Sequence, residues 1–167
     1  MKKFDWTEYE LIVKPIVESE EFQKRKEYPH HDDITVYDHC MAVSKLAYRI
    51  AKKHRLNYQD AAIAGLLHDF YDKPWQIMTE KKPFLQRHGF VHAREAMINA
   101  YRYFPNLMND QIANSILRHM FPLNKIPPKY KIGWVVTMAD KYVSMEVFRH
   151  PSKLPMLVGI NLKKKGD

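Results

Sequence analysis

Six side chains in this 167-residue chain have the types and spacing for chemistry: His39, His68, Asp69, His92, His119 and Asp140. Each falls on a stretch whose apolar residues recur at helical spacing. The densest is Ala61–Ala62–Ile63–Ala64–Gly65–Leu66–Leu67–His68–Asp69, where positions 61, 64, 65 and 68 follow i, i+3, i+4, i+7. His68 therefore points with the core-facing stripe. An imidazole buried there needs a strong partner, because unpaired burial costs free energy. Asp69 beside it raises that cost unless a cation lies between them. Taken alone, the dipeptide reads more simply as a hydrogen-bonded core histidine next to a capping aspartate. Six such groups would each need a separate buried partner, whereas shared cations satisfy them together. Imidazole nitrogens and carboxylate oxygens without a thiolate suit Fe, Mn, Co, Ni or Zn, and Mg less well.

The elements that must position these groups are helices. Thr7 with Glu10 reads as a capping box opening a first helix, which Pro15 kinks or divides. The charged segment from Glu18 ends in Tyr28–Pro29–His30–His31–Asp32–Asp33, a loop signal. Asp32 and Asp33 read as a polar turn, and His30 and His31 as residues at the rim of a site. Thr35 with Asp38 is a second capping box, opening a helix to about His54 on which His39, Val43, Leu46 and Ile50 share a face. Asn57 and Asp60 open the helix that delivers His68–Asp69. Phe70 to His88 reads as an irregular connection with a short helical piece, of the kind often used as a lid or binding loop. A helix from about Phe90 to Phe104 aims His92 inward, with Ala96, Asn99 and Tyr103 on its face. Asn109 caps the next, where Ile112, Ile116 and His119 are in phase. A last helix, about Lys129 to Phe148, sets Asp140 among Val136, Val143 and Val147.

Bulk properties bound the function. Apolar residues make up 46% of the chain and glycine is sparse, at 5 residues, which favours an all-α globular domain. No run approaches a membrane span, the N-terminus lacks a signal-peptide stretch, and the one cysteine, Cys40, excludes a disulfide framework and a cysteine zinc cluster. A cytoplasmic location follows as the expectation. Lys and Arg exceed Asp and Glu by 27 to 19, a formal charge of +8 that attracts anions. The excess is dispersed apart from Lys163–Lys164–Lys165, read as a solvated tail. Aromatic and basic residues are not interleaved as in a single-strand platform, so nucleic acid is disfavoured as a partner. The oligomeric state is not legible.

The ordered set His39, His68–Asp69 and Asp140, with Leu66–Leu67 before the dipeptide and Lys141 after the last aspartate, resembles the HD-domain superfamily of metal-dependent phosphohydrolases. The resemblance runs from roughly Thr35 to Phe148. It implies a compact single-domain helical bundle of HD-domain type over 1–167, with a core of about 35–148, an N-terminal helical extension over 1–34 and a tail over 149–167. His92 in His88–Gly89–Phe90–Val91–His92, and His119 in Ile116–Leu117–Arg118–His119, resemble the two extra histidines of the two-metal subset. On that likeness His39, His68, Asp69 and Asp140 hold one divalent transition-metal ion, and Asp69 bridges to a second held by His92 and His119. Such a pair deprotonates a water near neutral pH and clamps the attacking and leaving oxygens of a phosphate ester, with no Ser, Cys or Lys nucleophile.

The substrate implied is small, anionic and phosphate-containing, such as a nucleotide. Lys73 is the first candidate to meet charge on its equatorial oxygens. Many family members carry a Lys three residues after the Asp; here Asp72 stands there and Lys73 follows. Lys141 and Arg118, beside proposed ligands, are further substrate-binding candidates, with solvated surface charge as their plainer reading. The block His68–Asp69–Phe70–Tyr71–Asp72–Lys73–Pro74–Trp75, with His119–Met120–Phe121–Pro122–Leu123, is similar to a branch of small bacterial HD proteins; a related branch hydrolyses dinucleoside polyphosphates. Trp75, Tyr71, Phe121 and Phe84 read as lid packing or as a stack for a nucleobase. Two other functions share the same ligand set: an HD-type di-iron oxygenase and a non-catalytic nucleotide-binding module.

Overall fold

In the computed structural model residues 5–31, 34–72 and 88–149 are described. Helix α1 spans Thr7–Val17. Its start differs from the expected Thr7–Glu10 box: the Asp5 carboxylate accepts from the Thr7 amide at 2.9 Å and the Thr7 hydroxyl at 2.7 Å. Thr7 is already helical and Trp6 holds the cap position, so the acceptor comes from one residue further back. Pro15 does not divide the helix, because only Ile16 and Val17 follow it there.

The stretch read as a loop also gains structure. Ser19 accepts from the Phe22 amide and opens α2, Glu20–Gln23. A single 3-10 turn, Lys24–Glu27, leads into β1, Pro29–His31, which pairs antiparallel with β2, Ile34–Thr35. The Val36 amide donates to the Tyr28 carbonyl at 2.8 Å and extends that pairing to the next helix.

The remaining helices start where the sequence marks them. Helix α3, Val36–Lys53, opens on the reciprocal Thr35–Asp38 box, in which the Asp38 amide donates to Thr35 Oγ1 at 3.1 Å and the Thr35 amide to Asp38 Oδ2 at 3.2 Å. Helix α4 is Tyr58–Leu67, capped by Asn57. Helix α5 is His88–Tyr103, α6 is Asp110–Arg118 capped by Asn109, and α7 is Lys131–Arg149. All-α is thus the correct class, with one two-stranded ribbon among the described residues.

Helices α3, α4 and α7 pack on one another, α6 bridges α4, α5 and α7, and α1 lies against α4. The α3–α4 contact is backbone-close. A Cβ built on Gly65 would meet Ser44 Cα at 2.8 Å, so no larger residue fits without moving one helix. Across the same seam Ser44 donates to the Ala62 carbonyl at 2.7 Å and accepts from the Tyr9 hydroxyl at 3.0 Å. The core is aliphatic and small where α3 meets α4 (Val43, Ala47, Ala61, Ala64) and aromatic where α1 docks (Tyr9, Tyr48). No helix among the described residues is long and apolar enough to cross a membrane.

Candidate metal centre

Helix ends deliver most of the site. His39 lies in the first turn of α3 and His92 in the first turns of α5, both buried. His68 and His119 are the C-cap residues of α4 and α6. Their side chains are fixed the same way: His68 Nδ1 donates to the Gly65 carbonyl at 2.8 Å, and His119 Nδ1 to the Ile116 carbonyl at 2.6 Å. Each thereby satisfies a carbonyl that the helix end leaves orphaned. A carbonyl only accepts, so Nδ1 carries the hydrogen and Nε2 faces inward as a lone pair or a second N–H. Asp140 comes from the middle of α7, which packs against α3, α4 and α6.

The six residues named from sequence meet. His39 Nε2 is 3.0 Å from Asp140 Oδ1 and 3.3 Å from His68 Nε2. His68 Nε2 is 3.5 Å from Asp140 Oδ1 and 3.6 Å from Asp69 Oδ2, which is 3.9 Å from His39 Nε2. A second group adjoins it through the aspartate, with His68 also near His119: His92 Nε2 and His119 Nε2 are 3.2 Å apart, at 3.3 and 3.6 Å from Asp69 Oδ1. The two oxygens of one carboxylate thus face two different histidine sets.

Three observations fit a divalent cation to these residues. Ligand atoms bound at about 2.1 Å sit about 3.0 Å apart in octahedral and about 3.4 Å in tetrahedral arrangements, close to the spacings above. Two imidazole nitrogens facing each other at 3.2 Å repel as lone pairs unless a proton or an ion lies between them. Asp69 Oδ1 is buried and lacks a well-aligned hydrogen bond, although His92 Nε2 and His119 Nε2 lie 3.3 and 3.6 Å away. Three-residue groupings of suitable atoms, His39–His68–Asp140 and His68–Asp69–His119 among them, lie within 4.8 Å of one another.

Electrostatics point the same way. Burial works against charge on Asp69, but the imidazoles of His68, His92 and His119 outweigh it and hold the carboxyl well below its usual range. Asp140 is likewise depressed, its burial overcome by His39 and His68. Burial would lower His68, yet the two carboxylates push it up to about 9. His119 falls to about 3 through burial and the neighbouring His68 and His92. The two buried carboxylates thus draw their compensation from the imidazoles around them, and a metal ion held by the same residues would supply it in their place.

The chain after Asp69 is held by residues the sequence did not single out. Asn99 donates to the Phe70 carbonyl at 3.1 Å, the Asp72 amide donates to Glu95 Oε1 at 3.1 Å, and the Tyr28 hydroxyl donates to the Asp72 carbonyl at 2.5 Å. Arg25, buried to 1% exposure, donates to Asp72 Oδ1 at 3.1 Å and to the Glu21 carbonyl at 2.6 Å, its guanidinium 4.0 Å from the Phe70 ring centre. Only Asn99 gave a signal, by sharing a face with His92. Of the proposed substrate contacts, Lys141 is half-buried, with Nζ 3.3 Å from the His119 carbonyl to which it donates. Arg118 lines a cleft of about 360 Å³ with Arg94, Asn124 and Lys125, and its Nε is buried without a partner. Lys73, Trp75 and Phe84 lie outside the described residues, as do Asp32, Asp33, Lys163–Lys165 and most of the Phe70–His88 connection. Tyr71 is buried edge-on to His92, and Phe121 lies edge-on to Trp134.

Histidines and aspartates gathered at the inner ends of helices, with no thiolate, define a class of all-α proteins built to bind divalent metal. The chain belongs to the HD domain family, which matches residues 36–145, from the start of α3 into α7. Membership carries a hydrolase role and, in general terms, metal-dependent phosphohydrolase chemistry. No curated protein and no solved structure matches the chain.

Proposed function

We propose that the chain hydrolyses a nucleotide or other small phosphate ester with two divalent transition-metal ions, Fe, Mn, Co, Ni or Zn, in the cytoplasm. His39, His68, Asp69 and Asp140 would hold one ion, and Asp69, His92 and His119 the second. The observation that carries this reading is the Asp69 carboxylate, with Oδ2 toward His39 and His68 and Oδ1 toward His92 and His119. When bound, such ions lower the pKa of a coordinated water and offset charge on the phosphoryl oxygens. The protein's own part is positional. The Nδ1 bonds of His68 and His119 fix their rings, and the ties from Asn99 and Glu95 fix the chain beyond Asp69. Lys141, braced on the His119 carbonyl and next in sequence to Asp140, supports an anionic substrate, as do the net charge of +8 and the cations around Arg118. Lys73, close after Asp69 in sequence, would join them.

The test is protein loaded with Mn, Co or Ni and assayed against nucleotides and phosphoesters, beside Asp69→Ala and His68→Ala. Turnover should fall by more than about a hundredfold in both variants, and metal analysis of the unvaried protein should give two equivalents. Undiminished turnover in both variants would place the activity elsewhere, and one equivalent would leave His92 and His119 as supporting residues only.

A further inference from the structure

The cleft of about 360 Å³ beside Arg118 is walled by cations from three separate segments: Arg94 from α5, Arg118 from the last turn of α6, and Lys125 from the connection after it. The backbone amide of Asn124 donates to the Met120 carbonyl at 3.1 Å, a turn that fixes this connection beside the end of α6. The Asn124 side chain also lines the cleft, and Ala93 and Leu117 belong to its apolar wall. No acidic residue lines it, and among the described residues none of the three cations has a carboxylate partner.

Like charges gathered around one hollow repel one another unless an anion lies among them. Solvated surface charge accounts for Arg94 and Lys125, which are exposed, but not for Arg118. Its Nε is buried without a partner, so that N–H has lost water and found no acceptor in the protein. A cleft of one sign with apolar walls focuses its field on the space inside. Two guanidinium groups favour phosphate among anions, because their planar fork of N–H donors matches its oxygens. Three positive charges outnumber the roughly two negative charges of a single phosphate group near neutral pH. We propose that this cleft binds an oligophosphate, a chain of two or more phosphate groups. The site needs no metal, so it stands separately from the hydrolytic reading. Arg118 precedes His119 and Ala93 follows His92, so the cleft begins one residue from each of those proposed ligands. Taken with the hydrolytic reading, it narrows the substrate from phosphate esters in general to those that carry a phosphate chain.

Calorimetric titration of the full chain with inorganic tripolyphosphate, before and after passage over a chelating resin, tests it. One equivalent should bind in both cases, and about tenfold or more tightly than orthophosphate. Arg118→Gln and Arg94→Gln should each weaken tripolyphosphate by about tenfold. Lys53→Gln removes an equal charge from the end of α3 and should change the affinity by less than about twofold. Arg94 is exposed, so its variant reads the cleft even where Arg118→Gln unsettles the end of α6. Equal weakening in Lys53→Gln would reduce the effect to net charge and overturn the proposal. Full affinity in both arginine variants would overturn it too, and so would loss of binding on the resin, which places the anion on the metal centre. Turnover by the metal-loaded protein is read in a different assay, so the hydrolytic reading is judged apart from each of these results.

Discussion

Two carboxylates in this protein show opposite uses of the same group. Asp69 is buried among imidazoles and derives its charge state from them. Glu8 lies near the surface, where it accepts from the hydroxyls of Tyr48 and Tyr58, each at 2.8 Å, and from Lys52. Those bonds, led by Lys52, lower Glu8 from an ordinary 4.5 to about 2. A folded-state value below the unfolded one means that the bonds stabilise the fold fully above about pH 4.5. That contribution fades as pH falls toward 2. Glu8→Gln should therefore lower the urea midpoint at pH 6, and the gap from the unvaried protein should narrow steadily below pH 4.5. A gap constant with pH would assign the effect to shape rather than charge. His39, His68, His92, His119 and the two aspartates were legible in sequence because polar residues on apolar faces violate the usual pattern. Arg25 was not, since it sits in the run Lys24–Arg25–Lys26–Glu27, where nothing marks one cation as the buried one.

At the scale of elements, side chains alone do not set the distance between α3, which carries His39, and α4, which ends at His68. Gly65 sets it, with Ser44 Cα 2.8 Å from where its Cβ would stand. Gly65→Ala should destabilise the fold by about 1–3 kcal/mol in a denaturant titration, because backbone rather than a flexible side chain must yield. It should also weaken metal uptake, since His39 and His68 separate together with the helices. An unchanged midpoint would show that the seam can relax. Helix starts at Thr35, Asn57 and Asn109 were readable because a cap is a local bond within three residues. The β1–β2 ribbon was not readable: its strands are three and two residues long, too short for an alternating pattern to register. His30's position depends on that ribbon, so sequence could put it at a rim but could not bring it onto the His39 ring.

At the scale of the molecule, the segment before α3 is a brace for the site rather than a separate appendage. Arg25 joins α2 to the chain beyond Asp69, and Tyr9 joins α1 to the α3–α4 seam through Ser44. Arg25→Ala removes two hydrogen bonds and the cover over Phe70, and should cost on the order of 2 kcal/mol in thermal or urea unfolding. Because Asp72 is partly exposed, Asp72→Asn should cost clearly less, and equal losses would show that the ion pair outweighs the packing. This brace has a practical consequence for anyone exchanging parts between relatives. A chimaera cut at residue 36 would transplant the helices and leave behind Arg25, Tyr28 and His30, three side chains that brace the very centre being moved. A junction placed ahead of Ser19 would move the centre together with its own scaffolding.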